Sequence, residues 1–574
     1  MNDRLRATFS LVGLPRFFLL SLLLVCVPLP FLLALQYLGG GIRSCAAMLV
    51  SWLSLVVVYW WPVGTLLFLW KRGWVSRLFI GYLISLPLYF LSLYLVYPAF
   101  GGHFHPSSPA VWGIYSSQSP FYFLLATTLF LLTRGGATFR QVTTWLVAIA
   151  FAAGVVAPVA YAIRVDRYIW PRTRSSRVNI VNARLVDPFA NRIVNGVNVH
   201  VEDGRIVELV DAVADSTQWP AIDAGGKFLL PGLIDVHTHL QAPVQSVLGP
   251  FNLQFLLESF FANYAPQRRV YLENGVTTVR DVGGPAAHAY QMRTALLSRQ
   301  LLGPELFVVG RLVTSPHGHP VSTIWNAETS RQGAILASDS STLISGLEKN
   351  YEAGPPDAVK FIYGTIGQAK EKLAPSLLEE GIAWASSKRL ISIVHAETTD
   401  EVAEAARSGA TGIEHVASIE NLPDDLVSLL VQKRTFVDPT FGELNAALTL
   451  RHVDDARRKE ILQQKCQFIR RLQQAGVKLA IGTDAPLVPY GTGLHDEFDD
   501  FIKCGFSPAQ ILVFDTFNNA AYLGQGATLG QIAQGFRADL ILVPDNPLQN
   551  IETLRKPTWV MLGGQIVVPP PREQ

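Results

Sequence analysis

A small set of histidines, one lysine and one aspartate sit where they could hold metal ions. His237-Thr238-His239 closes the apolar run Leu229–Ile234. Residues two apart on a strand share a face, so two imidazoles leaving the strand end can share one cation. Pro231-Gly232 marks a turn at that strand. Four more polar residues close later apolar runs: Lys360 in Val359-Lys360-Phe361-Ile362-Tyr363-Gly364, His395 in Val394-His395-Ala396-Glu397, His415 after Glu414, and Asp484 in Gly482-Thr483-Asp484-Ala485-Pro486. Neutral imidazole and carboxylate suit Zn²⁺, with Mn²⁺, Co²⁺ or Fe²⁺ as alternatives. Taken singly, each has an ordinary reading as a core or surface histidine, or as a turn aspartate. Lys360 is the odd one, because an unpaired ammonium in an apolar strand is costly to bury.

These residues need strand ends to present them. Eight short apolar runs follow one another: Leu229–Ile234, Val276–Arg280, Leu306–Gly310, Ala358–Ile362, Leu390–Val394, Thr411–Glu414, Thr435–Asp438 and Lys478–Ile481. Helical stretches such as Glu401–Arg407 and Glu460–Gln474 lie between them. Alternating strand and helix predicts an α/β fold with a parallel sheet, and eight such units predict a closed (β/α)8 TIM barrel with its chemistry at the C-terminal strand ends. Around it, Val178–Asn182, Gly196–Glu202 and Arg205–Val210, with Asp203-Gly204 between the last two, read as hairpin strands. The same texture returns in Ala538–Val543 and Thr558–Val568, with Gly563-Gly564 at the turn. The expected organisation is a β-sandwich split between 176–230 and 526–574, with the barrel, 231–525, inserted in it.

The chain has 574 residues and a net charge of only +2. It carries no basic stripe interleaved with aromatics, which argues against a nucleic-acid partner. Four cysteines signal neither a zinc–thiolate site nor a disulfide framework, and a Cys466–Cys504 bridge stays open. Residues 1–175 are far more apolar than the rest. A bilayer core of ~30 Å takes about 20 apolar residues per helix. Phe17–Leu38, Cys45–Trp70, Leu78–Tyr97, a shorter run ending Phe121–Leu132, and Val142–Ile163 predict an α-helical transmembrane segment of about five spans. The Lys and Arg distribution in its loops places the catalytic part outside the cytoplasm, although Arg164, Arg167, Arg172, Arg174 and Arg177 pull the other way. The expectation is a multi-pass integral membrane protein with the lipid bilayer as partner.

Leu229-Leu230-Pro231-Gly232-Leu233-Ile234-Asp235-Val236-His237-Thr238-His239-Leu240 resembles the first-strand motif of the amidohydrolase superfamily. The resemblance runs from about Val178 to Val568 and is closest to the imidazolonepropionase and prolidase-related branch. Gly275-Val276-Thr277-Thr278-Val279-Arg280-Asp281, His395-Ala396-Glu397, Asp438-Pro439-Thr440 and Gly493-Leu494-His495-Asp496-Glu497 support it. It implies two divalent metal ions, most simply Zn²⁺. His237, His239 and Asp484 would hold one, His395 and His415 the other, and a carboxylated Lys360 would bridge them. It implies hydrolysis of an amide, dipeptide-like or cyclic amide C–N bond of a small molecule through a metal-activated hydroxide, with Asp484 as the catalytic acid and base. The His317-Gly318-His319 loop resembles the loop that contacts substrate there, and His317 or His319, with Tyr363, are candidates to bind the carbonyl oxygen or substrate. The alternatives are a mononuclear imidazolonepropionase-like cyclic amidohydrolase, a transporter with an accessory barrel, or a catalytically silent membrane receptor or sensor.

Overall fold

The computed structural model describes residues 166–569, apart from 172–175, 243–245, 250, 251, 253, 256, 257, 260, 261, 326, 365–368, 370 and 417–422. Among them lie two small sheets, the second built from strands on both sides of the barrel in sequence, and one ring of parallel strands. The first sheet has the order β5-β4-β1-β6, from β1 (Arg177–Val181), β4 (Val197–Glu202), β5 (Arg205–Asp211) and β6 (Ala221–Asp223). The second has the order β20-β19-β18-β7-β2-β3. There β7 (Phe228–Pro231) pairs parallel with β2 (Arg184–Asp187), which pairs in turn with β3 (Arg192–Val194). On its other side β7 pairs antiparallel with β18 (Leu540–Val543), followed by β19 (Trp559–Leu562) and β20 (Gln565–Val568). Ile180, Val199, Val201 and Ile206 of the first sheet pack on Leu229, Leu540, Leu542 and Met561 of the second. Alternate residues of a strand face one side, and both sheets turn their apolar side inward. Both expected hairpins form, at Asp203-Gly204 and Gly563-Gly564, with all four residues at positive φ. The two turns touch: a Cβ on Gly204 would lie 2.9 Å from the Gly563 carbonyl oxygen.

The strands of the ring are β8 (Leu233–Thr238), β9 (Val276–Asp281), β10 (Glu305–Val308), β13 (Ala358–Ile362), β14 (Ile391–Ala396), β15 (Gly412–His415), β16 (Phe436–Asp438) and β17 (Lys478–Leu479). β11 (Leu312–Thr314) continues β10 beyond a break at Val309-Gly310-Arg311 and pairs with β12 (Ala334–Leu336) and β13. Every pairing is parallel. The ring closes where Asp484 N donates to the His237 carbonyl at 2.8 Å and Thr238 bridges to Ala485. The first apolar run therefore serves two sheets. Its first half is β7, its second half is β8, and Gly232 is the joint. A side chain has no room there, since a Cβ on Gly232 would meet Thr277 Oγ1 at 2.1 Å.

Helices return the chain between strands. The helix Thr399–Arg407 starts with a capping box in which Thr398 and Glu401 satisfy each other's backbone amides. Cys466 and Cys504 form a disulfide that ties the helix Asp455–Gln474 to the end of the helix Thr492–Lys503.

The expectation of a multi-pass membrane protein is corrected here. Among the described residues no helix is long and apolar enough to cross a membrane. The longest, Asp455–Gln474, carries Arg457, Arg458, Lys459, Glu460, Lys465, Arg470 and Arg471, charges a bilayer core would not accept. The five apolar runs before residue 165 lie outside the described residues.

Candidate metal centre

The C-terminal ends of β8, β13, β14 and β15 and the turn after β17 converge on one cluster. His237 is the fifth residue of β8 and is buried; His239 follows the strand and is about one-third exposed. Asp484 Oδ1 lies 3.5 Å from His237 Nε2 and 3.2 Å from His239 Nε2. Donor atoms of these three residues all lie within 4.8 Å of one another. The Gly283 carbonyl accepts a hydrogen bond from His239 Nδ1–H at 2.8 Å, which leaves Nε2 as the free lone pair. His415 ends β15, with its ring 4.8 Å from that of His237 and 3.9 Å from that of His395. His415 Nδ1 is 2.9 Å from Thr440 Oγ1. Burial, aided by the Lys360 charge and by neighbouring histidines, holds both His237 and His415 well below the ordinary imidazole value. A neutral imidazole is the form that ligates a metal.

The backbone at these strand ends is strained. Asp484, Thr440, His415 and Val416 all adopt positive φ, at 60°, 42°, 75° and 44°. Non-glycine residues there cost on the order of 1–3 kcal/mol each and persist where the surroundings impose them.

Lys360 enters from β13, buried, with its ammonium against Glu414 of β15. Glu414 also accepts from Arg280 Nη2 at 3.0 Å and lies 3.2 Å from His237 Nδ1. Asp438 of β16 accepts from Gly482 N at 3.0 Å. Its second oxygen, and Nδ1 of His237, are buried without a hydrogen-bond partner. Orphaned polar atoms beside a His, His, Asp group whose donor atoms converge fit a divalent cation.

The remaining expected residues divide. His319 stands beside the cluster, its ring 6.2 Å from that of His395 and its Nδ1 2.7 Å from Thr323 Oγ1. Burial and the nearby His395 take it down to about 3, so it is neutral. His317 is exposed to solvent. The Tyr363 hydroxyl turns outward to Glu404, on the helix Thr399–Arg407. His395 Nε2 is 3.4 Å from Glu397. Two residues at the cluster have no counterpart in the sequence reading: Glu414, and Glu443, whose carboxylate is 3.7 Å from His415 Nδ1. Glu414 was visible next to His415, but adjacent strand residues face opposite ways. It points into the ring, where only the structure shows its partners. Nothing in the sequence marks Glu443.

The sequence pattern of the Amidohydrolase family matches residues 228–567. The chain belongs to that family, and it is a hydrolase acting on carbon–nitrogen bonds. Among curated relatives, ochratoxinase of Aspergillus niger is 21% identical over 447 residues, which cover 71% of this chain and 90% of the relative. Among solved structures, a Xaa-Pro dipeptidase with bound methionine superposes with a TM-score of 0.60 at 23% identity, over 68% of this chain and 99% of that one. Molinate hydrolase superposes with a TM-score of 0.57 at 19% identity, over 70% of this chain and 99% of that one. At these identities the structures speak for the fold.

Proposed function

We propose that this chain is a binuclear metal-dependent amidohydrolase that cleaves an amide, dipeptide-like or cyclic amide bond of a small molecule. One observation carries the reading: the His237 and His239 pair and Asp484, remote from it in sequence, bring their donor atoms within 4.8 Å at the C-terminal mouth of the ring. The names of the relatives agree, since prolidase and ochratoxinase point to C–N bonds in small substrates. His237, His239 and Asp484 would hold one cation, His395 and His415 a second, with Lys360 as a carboxylated bridge between them. Zn²⁺ suits this donor set best. When bound, such cations polarise a scissile carbonyl and lower the pKa of water to about 7.

The protein's own groups do the rest. Asp484, beside both histidines of the first pair, takes the proton of the attacking water and passes it to the leaving nitrogen. Gly283 fixes the tautomer of His239, and Thr440 orients His415. His319, neutral and beside His395, is placed to donate to a substrate carbonyl oxygen. Burial draws the Lys360 amine down to about 7, and a neutral amine is the form that takes up CO2.

The contact between Lys360 and Glu414 favours a second reading, a mononuclear site in which Lys360 stays a cation. Metal analysis of the purified chain separates the two, followed by a hydrolysis screen of dipeptides, N-acyl amino acids and cyclic amides. Two equivalents and hydrolysis in the screen support the binuclear enzyme. One equivalent with activity supports the second reading, and no metal with no hydrolysis sinks both.

A further inference from the structure

Glu443 occupies the first turn of the helix Phe441–Leu450, directly after β16. Its carboxylate lies 3.7 Å from His415 Nδ1. Donor atoms of Glu443, His415 and Asp484 all lie within 4.8 Å of one another. One imidazole and two carboxylates form a set that suits a divalent cation. Asp484 is common to this group and to the group of His237 and His239, so the two positions are neighbours that share a carboxylate.

The surroundings hold Glu443 in place without using it. Glu497 accepts from the amides of Phe441 and Gly442 at 3.0 and 2.5 Å, which fixes the start of the helix. Lys465 reaches in from the helix Asp455–Gln474. It is 3% exposed, its ammonium lies 5.2 Å over the Phe441 ring, and it finds no hydrogen-bond partner among the described residues. Among those residues the Glu443 carboxylate accepts no hydrogen bond either. A carboxylate left open beside an imidazole and a second carboxylate can take a divalent cation.

We propose that Glu443 is a metal ligand, which with His415 and Asp484 closes the second cation position. The inference rests on the metal-dependent reading above and adds a carboxylate to it. It also places the second cation between β15, the turn after β17 and the helix Phe441–Leu450. His395, stacked on His415, would remain a ligand at that position.

The test uses the full chain, stripped with a chelator and titrated with Mn²⁺. Calorimetry and elemental analysis count the ions, and electron paramagnetic resonance detects coupling between two of them. Wild type should bind two coupled ions. Glu443→Gln, nearly the same shape, should keep one ion, lose the coupling, and bind the second about 10- to 100-fold more weakly. Glu443→Asp keeps the charge and provides the check if the Gln variant folds poorly; it should bind both ions with the second weakened. Two tightly bound, coupled ions in Glu443→Gln overturn the inference and leave the metal-dependent reading standing. A raised KM in that variant would then make Glu443 a substrate contact. A wild type that binds one ion overturns the inference too, and one that binds none overturns both.

Discussion

Lys360 and Glu414 face each other inside the ring of strands as an ion pair sealed from water, with 2% and 0% of their side chains exposed. Arg280 completes the arrangement. Its guanidinium donates to Glu414 at 3.0 Å and to the Val236 carbonyl at 2.8 Å, and it lies 4.1 Å over the Tyr522 ring. Breaking a buried pair strands a charge. Here Glu414 has a second cation in reserve, so Lys360 can become a neutral or anionic group without leaving Glu414 unpaired.

Lys360→Ala should therefore fold, lower the metal content from two equivalents towards one, and abolish most hydrolysis. A short carboxylic acid added to it should restore part of the activity. Lys360→Arg should show no such rescue, because a guanidinium neither deprotonates near neutral pH nor takes up CO2. Full activity and a single metal equivalent in Lys360→Arg would leave the mononuclear site as the answer.

Asp484→Asn keeps the size of the side chain and removes its basicity. Turnover should fall by roughly 10²- to 10⁴-fold, the range for a positioned acid–base group, while the melting temperature of the metal-free protein moves little. A variant with near-native turnover would take the proton-transfer role away from Asp484.

His495 offers a pH test away from the metal cluster. Burial, with the charge of Arg555 adding to it, lowers this imidazole from 6.5 to about 4, although its Nε2 is 3.0 Å from the Asn274 carbonyl. The folded value lies below the unfolded one, so as pH falls the unfolded chain takes the proton first. The stability this group contributes is complete above about pH 6.5 and is lost on the way down to about 4. Between about pH 6.5 and 5 the loss is about 2 kcal/mol. His495→Gln should flatten that part of the profile in urea unfolding, and an unchanged profile would show that other groups set it.

Arg268 is fully buried and has no carboxylate partner among the described residues. It donates instead to backbone carbonyls of Ala262, Asn263 and Leu302, and of Arg167 and Tyr168 in the segment before β1. A chain begun at residue 166 should therefore outlast one begun at 176 in thermal unfolding. Each lost hydrogen bond to a charged group is worth about 1.5–3 kcal/mol. Equal melting temperatures would mean that water replaces both carbonyls at no cost.

The alternation of apolar runs and helical stretches made the ring of strands legible, because strand order follows sequence order in a parallel α/β fold. His237, His239 and Asp484 were legible because strand ends are where such a fold presents polar groups. What stayed hidden depends on side-chain direction. Tyr363 lies just past the same strand as Lys360 yet turns its hydroxyl outward to Glu404. His317 and His319 share one loop but only the latter is brought to the cluster. Glu443 arrives from a helix with no motif of its own. The bond between Cys466 and Cys504 depends on two helices meeting, which spacing alone does not show.

The joint at Gly232 makes the two β layers and the ring mechanically one object. The strand that ends in His237 begins as the central ribbon of a sheet clamped on one side by β2 and on the other by β18. Any recombination that moved the ring into another protein would have to cut the strand that carries its first histidine. Strain applied to either β layer would pass along one unbroken strand to that histidine.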